Sequence, residues 1–187
     1  MKISSKEIYN SPTLRLAFTR VAENHGCRGS DGVTIARFER NLERNLRQLR
    51  DDLRSQRYQP FPLMRFAVPK RKAAGVRYLS VPTVRDRVAQ AAAYLATKDI
   101  FENEFEDLSH AYREGRGVLT AIQDIKKWRD TGYRYAVDAD IDDYFDNVPH
   151  DLLIEKLRRL IPEAEVLRLF WKWIKAEIYD EEVRNKK

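Results

Sequence analysis

Leu14, Phe18 and Val21 recur at spacings of four and three, the period of one face of a helix. Ser11-Pro12 stands just before them, a hydroxyl cap followed by a proline that needs no amide donor, and predicts where that helix starts. Gly26 is placed to end it in the left-handed conformation. After the polar stretch CRGSDG, Thr34 predicts the cap of a second, longer helix. Its apolar stripe runs Ile35, Phe38, Leu42, Leu46, Leu49, Leu53, and the opposite face of Arg, Glu, Asp and Gln reads as an ordinary solvated one.

From Pro60 the period changes. LMRFAV and VRYLSV are short runs of β-formers on either side of PKRKAAG, which predicts a β-hairpin with a basic, mobile tip. Pro82 stops the second strand and Thr83 is set to cap the next helix, the alanine-rich VAQAAAYLATKDIF, whose apolar surface predicts burial. A polar loop with EGRG leads into a helix over VLTAIQDIKKW, closed by Thr131-Gly132. YRYAVDADI then alternates as a strand does, with Tyr133, Tyr135, Val137, Ala139 and Ile141 on one face and Ala136, Asp138 and Asp140 on the other. Pro149 opens a helix through HDLLIEKLRRLI, and a last helix is expected from about Glu163 to Ile178, carrying Trp171 and Trp173. Helices, hairpin, helices, strand, helices is the order of an α+β fold.

Composition narrows the classes. With 187 residues, 43% of them apolar and 11% aromatic, the chain can bury a core. A net charge of +6 suits a polyanionic partner without identifying one. The single Cys27 excludes an internal disulfide and a cysteine-based zinc site. The start, MKISSKEIYN, has no apolar signal core, and no run approaches the ~20 residues of a membrane span. A soluble, cytoplasmic protein with no membrane partner is expected. His25, His110 and His150 share no metal-ligand spacing and read as structural.

Two segments carry candidate chemistry. Asp138 to Asp146 holds five acids in nine residues. Such a cluster needs water, cations or metal to face it. It is either an acidic surface turn or a divalent cation site, where magnesium takes few protein oxygens and substrate phosphates fill the rest. Arg65 to Arg87 holds Arg65, Lys70, Arg71, Lys72, Arg77, Arg85 and Arg87 against one acid, Asp86. Either these charges guard an edge hairpin from aggregation or they clamp a triphosphate or a nucleic-acid backbone.

Four stretches, taken in order, resemble the reverse transcriptases of the group II intron lineage. They are SDGVTIARF (Ser30 to Phe38), RFAVPKRKAAGVRYLSVPTVRDRVAQ (Arg65 to Gln90), SHAYREGRGVLTAI (Ser109 to Ile122) and DADIDDYFDNVPHDLL (Asp138 to Leu153), the last similar to polymerase motif A. The resemblance implies helical fingers with a β-hairpin and the start of a right-hand polymerase palm. On that resemblance, residues 1–28 would form an N-terminal helical segment, 29–130 the fingers, and 131–187 the N-terminal part of the palm.

It also implies roles. Asp140 matches the first catalytic aspartate, a ligand to both of two Mg2+ ions, and Ile141 would offer its carbonyl to one of them. Asp142 and Asp143 lie where backbone amides meet the triphosphate of an incoming dNTP. Phe145 lies at the steric gate against ribonucleotides. Lys70 and Arg77 match the fingers pair on the triphosphate, and Arg113 and Arg116 face the template or nucleotide side. The implied partners are an RNA template and a DNA primer. Asp138 and Asp146 keep a structural reading.

This chain departs from the pattern at Glu114, where the family has proline, and at His110, where it has tyrosine. The pair Asp142-Asp143 is more similar to the branches tied to CRISPR adaptation or diversity-generating elements, which would add an integrase as partner and a role in antiviral defence. The family's Gly-x-Pro-Gln-Gly element and its aromatic-x-Asp-Asp motif are not found; the nearest run is Tyr179-Asp-Glu-Glu182. The expectation is a fragment or half-protein, inactive by itself, that meets the rest of palm and thumb elsewhere. The alternative is an RNA-binding module without catalysis.

Overall fold

In the computed structural model, residues 4–69, 75–141 and 143–180 are described. The chain divides into two compact units, residues 1–97 with 150–187, and residues 98–149.

The first unit opens with α1 (Ser5–Tyr9) and α2 (Ser11–Glu23). The cap of α2 is Asn10, whose side chain accepts from the Thr13 amide at 2.8 Å, and not Ser11; Pro12 sits in the first turn as expected. The left-handed residue that ends the helix is His25 (φ 47°), one position before Gly26. Thr34 does cap the next helix, accepting from the Arg37 amide. The single long helix is instead two, α3 (Ile35–Glu39) and α4 (Leu42–Arg54). The Asn45 side chain donates to the Phe38 carbonyl at 2.8 Å, a local bond that competes with the helical ladder at this joint. Leu14, Ala17, Phe18, Phe38, Leu46 and Leu49 meet in the core, with Phe18 and Phe38 stacked at 5.7 Å.

β1 (Leu63–Pro69) and β2 (Val76–Val81) form the expected hairpin, in register from Met64 opposite Val81 to Pro69 opposite Val76. Its basic tip, Lys70 to Lys72, lies outside the described residues. Gly75 leaves the turn with φ +112°, a conformation that glycine adopts without strain. α5 (Val84–Glu102) follows, with Val84, Val88, Ala89, Ala92 and Ala93 buried as its composition predicts.

α7 (His150–Leu160) and α8 (Ala164–Ile174) complete the helices of this unit. α8 stops four residues before the expected end. Ile178–Asp180 is a strand, β3, parallel to β1, which makes the sheet order β2-β1-β3. Leu63 N–H donates to the Glu177 carbonyl at 2.7 Å, and Arg65 forks onto both oxygens of Asp180 at 2.5 and 2.8 Å. Those long-range bonds take the chain out of the helix.

The second unit holds the end of α5, a loop, and α6 (Val118–Asp130), closed at Thr131 with Gly132 at φ +109°. No residue of α6 is buried. The expected strand over Tyr133–Ile141 is absent: the segment is irregular and exposed throughout. Alternation supplies a face, but a strand also needs a neighbour for its N–H and C=O groups. Among the described residues, Arg134 to Ile141 make no backbone–backbone hydrogen bond.

Candidate nucleotide and nucleic-acid site

The base of the hairpin is held by one carboxyl group. Asp86 is 1% exposed and lies at the third position of α5, three residues after its Thr83 cap. It accepts from the Tyr58 hydroxyl (2.7 Å), the Thr83 hydroxyl (2.7 Å), the Phe61 amide (2.9 Å) and Arg85 (3.3 Å). Thr83 Oγ1 in turn accepts from the Asp86 amide, a reciprocal cap. Arg85 lies over the Tyr58 and Phe61 rings and bridges to Asp52 at 3.1 Å. Burial, followed by the nearby Asp86, pushes the Tyr58 phenol far above its usual range. In the sequence Asp86 is the lone acid of a basic stretch, and the T-x-x-D spacing is the signal for its structural role.

Arg77 stands exposed on β2 opposite Val68, on a strand whose residues Val76 to Ser80 are all exposed. Lys70, its expected companion on the triphosphate, lies outside the described residues.

Arg113 points inward. Its guanidinium donates to Glu102 Oε1 through two nitrogens (3.0 and 2.6 Å) and to the Glu106 and Ser109 carbonyls (2.8 and 3.0 Å). The hydrogen bond from Arg113 holds the Glu102 carboxyl below the usual carboxylate range. Arg113 therefore staples the loop that precedes α6. Arg116 is half-buried and donates to the Asp107 carbonyl. Gly115 takes φ +73°, and Glu114 pairs with Lys98 at 2.7 Å. His110 bridges Thr120 (2.9 Å) and Asp124 (3.3 Å), a structural placement.

The acidic segment is open to solvent. Asp138 and Asp140 are exposed, and Ile141 is 66% exposed. Asp142 lies outside the described residues. Asp143 takes φ +44°, and its carbonyl receives the Asp146 and Asn147 amides at 3.0 and 3.1 Å. That turn carries Tyr144 and Phe145, packed edge to face at 5.3 Å, with Phe145 78% exposed. The donors suit magnesium in kind, a carboxylate and a carbonyl oxygen. They do not suffice in number, because among the described residues no three acidic, histidine or cysteine side chains converge. No catalytic step follows from these residues alone.

Arginines are frequent along the helices that the sequence presents as a plain solvated face. Arg37, Arg40, Arg44, Arg47, Arg54 and Arg57 are exposed along and just beyond α3 and α4. Among the described residues their side chains have no hydrogen bond or ion pair. No helix in the described residues is long and apolar enough to cross a membrane.

Residues 68–187 match the family model described as reverse transcriptase (RNA-dependent DNA polymerase). Protein YkfC of Escherichia coli is 38% identical over 152 residues, 79% of this chain and 40% of that protein. The group II intron-encoded protein LtrA of Lactococcus lactis is 32% identical over 161 residues, 86% of this chain and 26% of LtrA. The putative COX1/OXI3 intron 1 protein of Saccharomyces cerevisiae is 27% identical over 172 residues, 92% of this chain and 20% of that protein. The chain thus spans well under half the length of these relatives. The mixture of helices with a small sheet, together with this match, shows that the chain belongs to the reverse transcriptase family and is akin to the group II intron-encoded enzymes.

Proposed function

We propose that this chain supplies the fingers and the first catalytic carboxylate of an RNA-directed DNA polymerase, which adds deoxynucleotides to a primer 3′-end on an RNA template. The family match over residues 68–187 carries the reading. Asp140 is the ligand shared by two magnesium ions, with the Ile141 carbonyl beside it. Two such ions would activate the 3′-hydroxyl and neutralise the leaving pyrophosphate. Phe145, on the turn opened by Asp143, gates the sugar, and the backbone at Asp142 and Asp143 meets the triphosphate. Lys70 and Arg77 hold the triphosphate from the fingers. Arg116 faces the template side, in a loop that Arg113 holds in shape. The exposed arginines along α3 and α4 support an RNA partner, since guanidinium groups left open to solvent can bind phosphate.

These 187 residues by themselves are expected not to extend a primer, because one carboxylate does not hold two ions. Joined to the C-terminal part of a group II intron-encoded relative, they should extend oligo(dT) on poly(rA) with Mg2+, and Asp140→Ala should abolish that product. Failure of the joined protein to extend, while the intact relative does, would refute the proposal.

The second reading is RNA binding without catalysis, and the exposed arginines along α3 and α4 are the observation that favours it. It requires salt-sensitive RNA binding that ignores both magnesium and Asp140→Ala.

A further inference from the structure

Arg65 joins all three strands of the sheet. It stands opposite Ser80 on β2 and beside Asp180 on β3. Its Nε and one terminal nitrogen donate to the two Asp180 oxygens at 2.5 and 2.8 Å, a two-point fork that fixes the plane of the guanidinium. The guanidinium carbon lies 4.7 Å from the centroid of the Tyr78 ring. Tyr78 pairs with Ala67, which makes it the diagonal neighbour of Arg65 across the hairpin.

Arg77 leaves β2 next to Tyr78 and, by strand alternation, from the other face. It shares that face with its cross-strand partner Val68 and with the pair Phe66 and Leu79. Arg65 and Arg77 therefore belong to opposite faces, and what one does for the other passes through the strand. Tilting a strand about its own axis moves both faces together. A Tyr78 ring held on one side sets the direction in which Arg77 leaves on the other.

Both members of the Arg65–Asp180 pair are about a third exposed. Ion pairs so open to water contribute little to stability. What a fork contributes there is geometry, and lysine, a point charge on a flexible stem, does not reproduce it.

We propose that Arg65 is a positioning residue for the triphosphate end of the site: forked onto Asp180 and stacked on Tyr78, it sets the pitch of β2 and with it the direction of Arg77. This rests on the assignment of Arg77 to the triphosphate made above. The role has a distinctive sign. Asp180→Asn removes a negative charge near the hairpin and releases one arm of the Arg65 fork. A role through charge, or through direct contact of Arg65 with phosphate, would make an anion bind more tightly. A role through orientation makes it bind more weakly.

Titration of the full chain with inorganic tripolyphosphate, followed through the amide resonances of β2 so that this site alone is read, tests the proposal. Arg77→Ala should weaken binding by about tenfold, the loss of a charge-assisted contact. Asp180→Asn and Arg65→Lys should each weaken it by about threefold or more, with the urea midpoint unchanged. In an Arg77→Ala background Asp180→Asn should have no further effect, because it acts through Arg77. Affinity that Asp180→Asn leaves unchanged or tightens overturns the inference. So does a further loss in the Arg77→Ala background, or a variant of Arg65 or Asp180 that fails to fold. Absence of binding by the parent, or binding indifferent to Arg77→Ala, removes Arg77 from the triphosphate and the inference with it.

Discussion

The Tyr58 hydroxyl donates to buried Asp86 at 2.7 Å and accepts from the Trp173 indole at 3.0 Å, joining α8 to the start of α5 through one oxygen. The two bonds run from a helix beyond the acidic segment to the base of the fingers hairpin. Tyr58→Phe removes both, and leaves a buried carboxyl one donor short. A loss of roughly 1–3 kcal/mol in urea unfolding is expected. Asp86→Ala should cost more, because four donors lose their acceptor.

The same pair sets a pH dependence. The Tyr58 phenol is raised in the folded chain, so its contribution is complete below the ordinary phenol range. It falls above that range, where an unfolded tyrosine ionises and the folded one does not. Alkaline unfolding should therefore begin at higher pH in Tyr58→Phe than in the parent, when each is compared with its own stability at neutral pH.

Gly29→Ala should destabilise by about 1–3 kcal/mol, read as a lowered Tm. A Cβ there would lie 2.6 Å from Thr83 Cα and 2.7 Å from Thr83 N, backbone atoms at the cap of α5 that have no rotamer to move into. This is a close approach and not a turn requirement.

Arg113→Ala should loosen residues 105–117 without unfolding the rest. Two backbone carbonyls and Glu102 lose their donor, so amide exchange should quicken in this loop and stay unchanged in α4. Acid should act the same way. Glu102 is held below its usual range, so the link is complete above that range and is lost as pH falls through the depressed value.

Arg44→Glu with Arg47→Glu should weaken RNA binding and flatten its salt dependence, by somewhat under one unit of slope for each phosphate no longer neutralised. Fluorescence anisotropy titrations at several salt concentrations would measure both. An unchanged slope would remove α4 from the RNA surface.

Local signals are legible in the residues and distant ones are not. The caps at Thr34 and Thr83, the stripe Leu46-Leu49-Leu53 and the Met64-to-Val81 hairpin are fixed by neighbours in sequence, and all stand where the pattern puts them. β3 is three residues long and exists because β1 lies beside it, which no window of sequence reports. Tyr133–Ile141 fails in the opposite sense, with a good strand pattern and no strand to pair with. Within the candidate site, the motif names Asp140 and Phe145. It gives no hint that Arg113 is consumed by Glu102, because that acid sits eleven residues away at the end of another helix.

Asp140 is the carboxylate on which the proposed polymerisation turns. The direct measurement is primer extension on poly(rA)/oligo(dT) by the chain joined to the C-terminal part of a group II intron-encoded relative, with Asp140 intact or changed to alanine and RNA binding followed in parallel. Magnesium-dependent extension that Asp140→Ala abolishes is expected, with RNA binding left in place. Extension that survives Asp140→Ala would contradict that expectation.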